Sequence, residues 1–277
     1  MNYGIPYRGG KNRIAAWIVE HLPANDCLYD LFAGGCAVTH AALLSGKFKR
    51  IVANDVKGQY PQCFLDALAG LYKDERRVID REGFQRLKAK DPYVATCWSF
   101  GNNLRSYLWT RETCALKLKA CKMIMADTWQ ERRRLFADFI KELRKGMPDR
   151  MDLKVLERLQ SLERPERLQG LERLERLQGL EVSCASYEDV DIAPHSTVYC
   201  DIPYKGTELY GAAFDYDKFY GWCLSREYPV FVSEYNMPDS FAPIAETGKA
   251  CTMCATGKAK RAVERLYVQR RFAGQFN

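Results

Sequence analysis

The sequence predicts an α/β fold whose sheet is split by a long helical insertion. Two short apolar strands flank a glycine turn and a helix near the N-terminus, and the remaining apolar strands begin only after residue 180. Between them runs a basic stretch, roughly 60–150, whose apolar residues recur at helical spacing.

Taken in order, Ile14, Trp17, Ile18 and Leu22 mark a helix over 11–22, with Pro23 as its stop. Cys27 to Phe32 reads as a strand, Ala33-Gly34-Gly35 as a tight turn, Ala37 to Leu44 as a helix ended by Gly46, and Arg50 to Val56 as a second strand. Strand, glycine turn, helix, strand is how a nucleotide-binding α/β sheet opens. Later strands are expected at Glu181–Cys184, Thr197–Cys200, Pro229–Glu234 and Leu266–Arg271. In the insertion, Tyr107, Leu108 and Trp109, then Leu116 and Leu118, then Phe136, Phe139, Ile140 and Leu143 suit short amphipathic helices. The expected organisation is a first catalytic part over 1–60, a helical subdomain over 61–152, a repeat insertion over 153–182 and a second catalytic part over 183–277.

The repeat has three nine-residue copies, Leu156–Arg164, Pro165–Arg173 and Leu174–Val182. Leucine returns at every third position from Leu153 to Leu180 except at Pro165, whereas an α-helix turns every 3.6 residues, so the stripe would wind around a helix instead of forming a face. Pro165, Gly170 and Gly179 add to the case against one continuous helix.

The chain has 277 residues, 47% hydrophobic and 28% charged, enough for a packed core. No apolar stretch approaches a membrane span and the N-terminus carries no signal-peptide pattern, so a cytoplasmic protein is expected, with no membrane partner. Eleven cysteines, several inside apolar runs, read as reduced thiols. Cys251 and Cys254 form the single CxxC, and His21, His40 and His195 are too scattered to complete a metal site, so no metal is expected. Residues 76–150 carry 18 Lys and Arg against 9 Asp and Glu, although the whole chain has a net charge of only +7. A local excess of this kind fits a polyanion or a set of solvated helix faces.

The chemistry concentrates in Tyr199-Cys200-Asp201-Ile202-Pro203-Tyr204, at the end of an expected strand. Asp201 and the Pro203 carbonyl offer two acceptors for the hydrogens of an amino group, and Tyr204 offers a face for the ring that bears it. The Asp30–Cys36 loop allows close ligand approach, although such glycines also serve turn shape alone. Asp55 follows about 20 residues on, where an acidic side chain takes ribose hydroxyls. Lys11, after Tyr7-Arg8-Gly9-Gly10, could pair with a ligand carboxylate or belong to a solvated basic segment.

In this order these segments resemble the Dam-type (D12 class, α-group) DNA adenine-N6 methyltransferases. They are Tyr7-Arg8-Gly9-Gly10-Lys11, Asp30-Leu31-Phe32-Ala33-Gly34-Gly35, Asn54-Asp55, the insertion with Ser99–Arg105, Asp201-Ile202-Pro203-Tyr204, Val232–Asn236 and Lys258–Val268. The resemblance implies a Rossmann-like methyltransferase sheet dependent on S-adenosyl-L-methionine, with an inserted helical target-recognition subdomain. It further implies that Tyr7 and Lys11 hold the methionine end and that Asp30 lies near its amino group. Phe32, Gly34 and Gly35 pass beneath the cofactor, Asp55 takes the ribose, and Ser186 and Tyr187 stand where relatives carry an acidic residue near the cofactor adenine. Three departures from the family pattern are Cys36 for a glycine, Ile202 for a proline, and Ser186-Tyr187 themselves.

The expected reaction is site-specific methylation of N6 of an adenine flipped out of double-stranded DNA, with Asp201, Pro203 and Tyr204 as the catalytic set. Arg105, Arg111, Lys117, Lys119 and Lys122 are the candidate DNA contacts in the insertion. Cytosine-N4 or RNA amino-methylation, and a catalytically inactive DNA-binding relative, are the competing readings. A protein partner is not identified by the sequence.

Overall fold

The computed structural model describes residues 3–145, 179–205, 214–250 and 261–276. The repeat up to Gln178, the Cys251–Cys254 pair and residues 258–260 of the last family-like segment lie outside these residues.

Strands β1 (Cys27–Asp30), β2 (Arg50–Asn54), β4 (Ser196–Cys200) and β5 (Val230–Glu234) are buried almost throughout. Near-continuous apolar runs are what strands covered on both faces require. With β3 (Leu180–Ser183), β6 (Phe241–Ala250) and β7 (Arg261–Gln269) they form a seven-stranded sheet in the order β3-β2-β1-β4-β5-β7-β6. The first five strands are parallel, while β7 runs antiparallel to both β5 and β6.

Alternate residues serve opposite faces of this sheet. Leu28, Ile51, Tyr199, Phe231 and Leu266 pack in one cluster with Ile18 of α1 (Ala15–His21) and Val38 of α2 (Ala37–Ser45). Tyr29, Val52, Val198, Val232 and Tyr267 pack in the other with Phe219 of α8 (Tyr216–Ser225). Helices therefore cover both faces, and the strand order reverses between β1 and β4. In open α/β sheets that switch point is where ligands bind.

The chain separates into two units. One holds 1–4, 11–62 and 176–277, and so contains the sheet. The other holds 5–10 and 63–175, and the division falls within α3 (Gln59–Leu68). In the second unit, α4 (Arg81–Leu87) and α5 (Pro92–Cys97) start on Asp80 and Asp91, whose carboxylates accept the Gly83 and Val94 N–H groups at 2.7 and 3.2 Å. Phe84, Tyr93, Trp98, Tyr107 and Trp109 are buried there. α6 (Arg111–Ile124) and α7 (Trp129–Lys145) follow as a packed pair.

Two expectations change at the strand level. Leu180–Val182, the end of the third repeat copy, belong to β3 and pair with Ile51–Ala53 of β2. The last strand starts earlier than Leu266 and stops at Gln269, because Arg270–Ala273 turn into a short helix, α9. Its partner β6 is a strand the sequence reading did not anticipate.

Gly4 docks the N-terminal segment on the glycine turn. Its φ is +67°, its N–H donates to His40 Nδ1 at 3.0 Å, and a Cβ there would lie 2.2 Å from the Gly35 carbonyl oxygen. Gly4→Ala is expected to cost about 1–3 kcal/mol of stability, measurable as a lower denaturation midpoint with an unchanged m-value.

Candidate active site

β1 and β4 place their carboxylates side by side at the switch point. Asp30 is opposite Tyr199 in the parallel register, so Asp201 emerges two residues further on. Asp30 anchors α2: its Oδ2 accepts the Thr39 N–H at 3.2 Å and the Thr39 hydroxyl at 2.7 Å. Its Oδ1 is buried with no hydrogen-bond partner among the described residues. Burial pushes the Asp30 carboxyl up to about 7, with the Thr39 bonds opposing the shift.

The glycine turn is shaped from both sides. Asp55 Oδ2 accepts the Gly34 N–H at 2.9 Å and Oδ1 accepts the Lys57 N–H at 2.8 Å. Burial raises the Asp55 carboxyl above its ordinary value. Asn54, fully buried, joins three strand ends: its amide donates to the Leu31 and Ala185 carbonyls at 3.1 Å, and its Oδ1 accepts from Ser183 Oγ at 2.7 Å. Cys36 caps α2 in the left-handed region at φ 59°, ψ 33°. A side chain thus occupies a conformation that glycine adopts freely. The Phe32 ring is stacked on Tyr187 at 5.4 Å between centroids, and Tyr187 meets Phe219 and Trp222 edge-on, so both rings belong to one aromatic wall. Ser186 precedes the turn Tyr187–Asp189, and its carbonyl accepts the Asp189 N–H at 3.0 Å.

Lys11 is only 4% exposed, and its ammonium lies 2.5 Å from Asp201 Oδ1, 3.5 Å from Glu264 Oε1 and 4.3 Å from the centre of the Tyr204 ring. Burial opposes the charge, but Asp201 and Glu264 outweigh it and hold the ammonium well above the ordinary lysine range. The Tyr204 hydroxyl donates to Glu264 Oε1, and its ring meets Tyr235 edge-on at 4.7 Å. Two carboxylates of the chain itself thus hold the Lys11 ammonium. Glu234 Oε2 accepts the Lys205 N–H at 3.1 Å and so ties down the chain just after the motif.

The Tyr216 hydroxyl donates to the Pro203 carbonyl at 3.0 Å. The Ile202 carbonyl accepts no hydrogen bond among the described residues. Glu264 and Glu234 were not among the candidates, because an acid beside Arg265 or at a strand end reads as a solvated charge until the strands pair.

The remaining candidates lie in the helical unit. Tyr7 belongs to the segment 5–10 grouped with it, and its carbonyl accepts the Gly10 N–H at 3.2 Å. Arg105, Arg111 and Lys122 are exposed. Lys117 lies 6.0 Å from the Trp109 ring centre. Lys119 forms an ion pair with Glu142 at 2.8 Å, which ties α6 to α7. Gly101, Asn102 and Leu104 all take left-handed φ values of 57–63°, so Ser99–Arg105 is a strained loop. Among the described residues no group of three or more His, Cys, Asp or Glu could hold a metal ion, and no helix is long and apolar enough to cross a membrane.

The Asp30 carboxyl protonates at about 7 in the folded chain against 3.8 as its ordinary value. Stability from this group is therefore full below about pH 4 and is lost as the pH rises through 7. His40, pushed down to about 4 by burial, acts in the opposite direction as the pH falls from about 6.5. Asp30→Asn is expected to gain on the native protein in melting temperature between pH 4.5 and 8, with His40 common to both. A pH-independent difference would mean that Asp30 titrates normally.

No curated protein matches the chain. The model of the D12 class N6 adenine-specific DNA methyltransferase family matches residues 7–222, well over half of the sequence. That span runs from Tyr7 through the glycine turn, the helical unit and Asp201–Tyr204 into α8. The chain therefore belongs to the D12 class N6 adenine-specific DNA methyltransferase family, and its reaction is the methylation of adenine N6 in DNA.

Proposed function

We propose that the switch-point site takes S-adenosyl-L-methionine as methyl donor and acts on an adenine flipped out of double-stranded DNA. The observation that carries this reading is the pair of carboxylates at adjacent strand ends, Asp30 buried with an orphan oxygen and Asp201 paired with the ammonium that lies over the Tyr204 ring. The donor set fits the cofactor. Asp30 Oδ1 lacks a partner for which an amino group is suited, the Gly34–Gly35 turn leaves room for close approach, and each Asp55 oxygen keeps a lone pair for a ribose hydroxyl. Phe32, Tyr187 and Ser186 supply the wall for its base, while Tyr7 enters on its motif alone. Once bound, the cofactor supplies an electrophilic methyl group.

The chain's own residues supply orientation and charge. The exocyclic amine of adenine is a poor nucleophile, because its lone pair is delocalised into the ring. Asp201 accepts one amine hydrogen, and a main-chain carbonyl of Ile202-Pro203 accepts the other. Ile202 is the better assignment for that acceptor, since Tyr216 already engages Pro203. The two bonds favour a tetrahedral nitrogen whose lone pair would be free to take the methyl group of a bound donor. Tyr204 stacks on the base and offsets part of the few kcal/mol that flipping costs. The Asp201 carboxylate then stabilises the positive charge that forms on nitrogen.

Asp201→Ala is expected to abolish tritium transfer from labelled donor to plasmid DNA free of adenine methylation, while donor binding by equilibrium dialysis stays within about twofold. Retained turnover would overturn the assignment of the site. DNA affinity should fall steeply with salt, and neutralising Arg105 and Arg111 together should reduce the log–log salt slope by about 2. An unchanged slope would remove both residues from the DNA surface.

A further inference from the structure

Glu264 stands outside every role assigned so far, yet it touches two groups that have one. It is 0% exposed on β7, where it pairs with Thr247 of β6. Its Oε1 takes the Tyr204 hydroxyl and lies 3.5 Å from the Lys11 ammonium, while its Oε2 is buried with no hydrogen-bond partner among the described residues. Lys11 at the same time sits 2.5 Å from Asp201, the carboxylate that has to accept the adenine amine. Two carboxylates thus share one ammonium, and only one of them, Asp201 at 19% exposure, has a face open to a substrate.

We infer that Glu264 is a positioning residue that receives the Lys11 ammonium when Asp201 turns to the adenine amine. An ammonium this deeply buried cannot leave one carboxylate without another to take it, because an unpaired buried charge costs several kcal/mol. Glu264 is that second partner: it is already beside Lys11, it is fixed by its strand, and it has an oxygen with no partner. The same side chain holds the hydroxyl of Tyr204, so the ring on which the base stacks and the ammonium that frees Asp201 are set by one group. No bond is made or broken in the exchange and no proton needs to move. Lys11 stays charged, and although burial raises the Glu264 carboxyl above its ordinary value, the Lys11 ammonium beside it opposes that shift.

This inference rests on the proposed role of Asp201, and its test separates the two. Glu264→Gln keeps the shape and an acceptor for Tyr204 but cannot neutralise an ammonium, whereas Glu264→Asp keeps the charge. With plasmid DNA free of adenine methylation and tritiated S-adenosyl-L-methionine, kcat of the Gln variant is expected to fall by about ten- to a hundredfold, with donor affinity and melting temperature unchanged. The Asp variant is expected to recover most of that loss. A Gln variant within twofold of the native protein overturns the inference. So does an equal loss in both variants, or a parallel fall in donor affinity or melting temperature, which would assign Glu264 to the donor site or to the fold. If the Gln variant does not fold, an Asp variant that loses tenfold or more in kcat overturns it as well. Asp201→Ala is measured alongside: if that variant still turns over, the site assignment itself fails, and if it is dead while Glu264→Gln is active, only the exchange fails.

Discussion

One buried ammonium draws the switch-point end of the sheet together. Lys11 precedes α1, Asp201 and Tyr204 follow β4, and Glu264 lies in β7, so the cluster joins three distant parts of the sequence. Lys11 is the cation that faces the two carboxylates Asp201 and Glu264, so removing it leaves both without that counter-charge. That makes the cluster specific in geometry, which suits the orienting role proposed for it. The neighbouring Asp30 shows the opposite arrangement. It has hydroxyl and amide donors but no cation among its described hydrogen-bond partners, and burial accordingly pushes its carboxyl up to about 7.

The parallel half of the fold was legible because its residues are buried on both faces. Leu28 and Tyr29, or Val198 and Tyr199, belong to opposite clusters, so the runs read as strands without any alternation. The glycine turn, Asp55 and Asp201 followed from their places at strand ends. β6 escaped notice for a physical reason. Pro243 and Gly248 argue against a central strand, but β6 is the outermost strand of the sheet, with a register shift between Pro243 and Ala245, and an edge tolerates both. Without β6 and the true start of β7, the burial of Glu264 could not be read, and the pairing that defines the state of Lys11 stayed hidden with it.

Of the departures from the family pattern, Ile202 and Cys36 are absorbed by packing. Both are buried, Ile202 in the cluster that includes Phe219, and the Cys36 backbone keeps the left-handed turn despite its side chain. Main-chain geometry at both positions matters more to the site than side-chain identity. The carbonyl next to Asp201 exists whichever residue bears it, and the turn that begins α2 is held from outside by Gly4, Asp30 and Asp55.

The place of β1 in the sheet has a consequence for biosynthesis. β1 is flanked by β2, about 20 residues downstream, and by β4, about 170 residues downstream, with Leu28 facing Ile51 on one side and Thr197 on the other. The half-sheet of β1 and β2 therefore leaves the ribosome with an unsatisfied inner edge. At the usual 5–20 residues per second it waits roughly ten seconds or more for its partner. Residues 63–175 of the helical unit are translated during that interval. The exposed edge of β1 is a pairing hazard for as long as the wait lasts, so translation rate through the insertion and its repeat should govern how much of the chain reaches its native form.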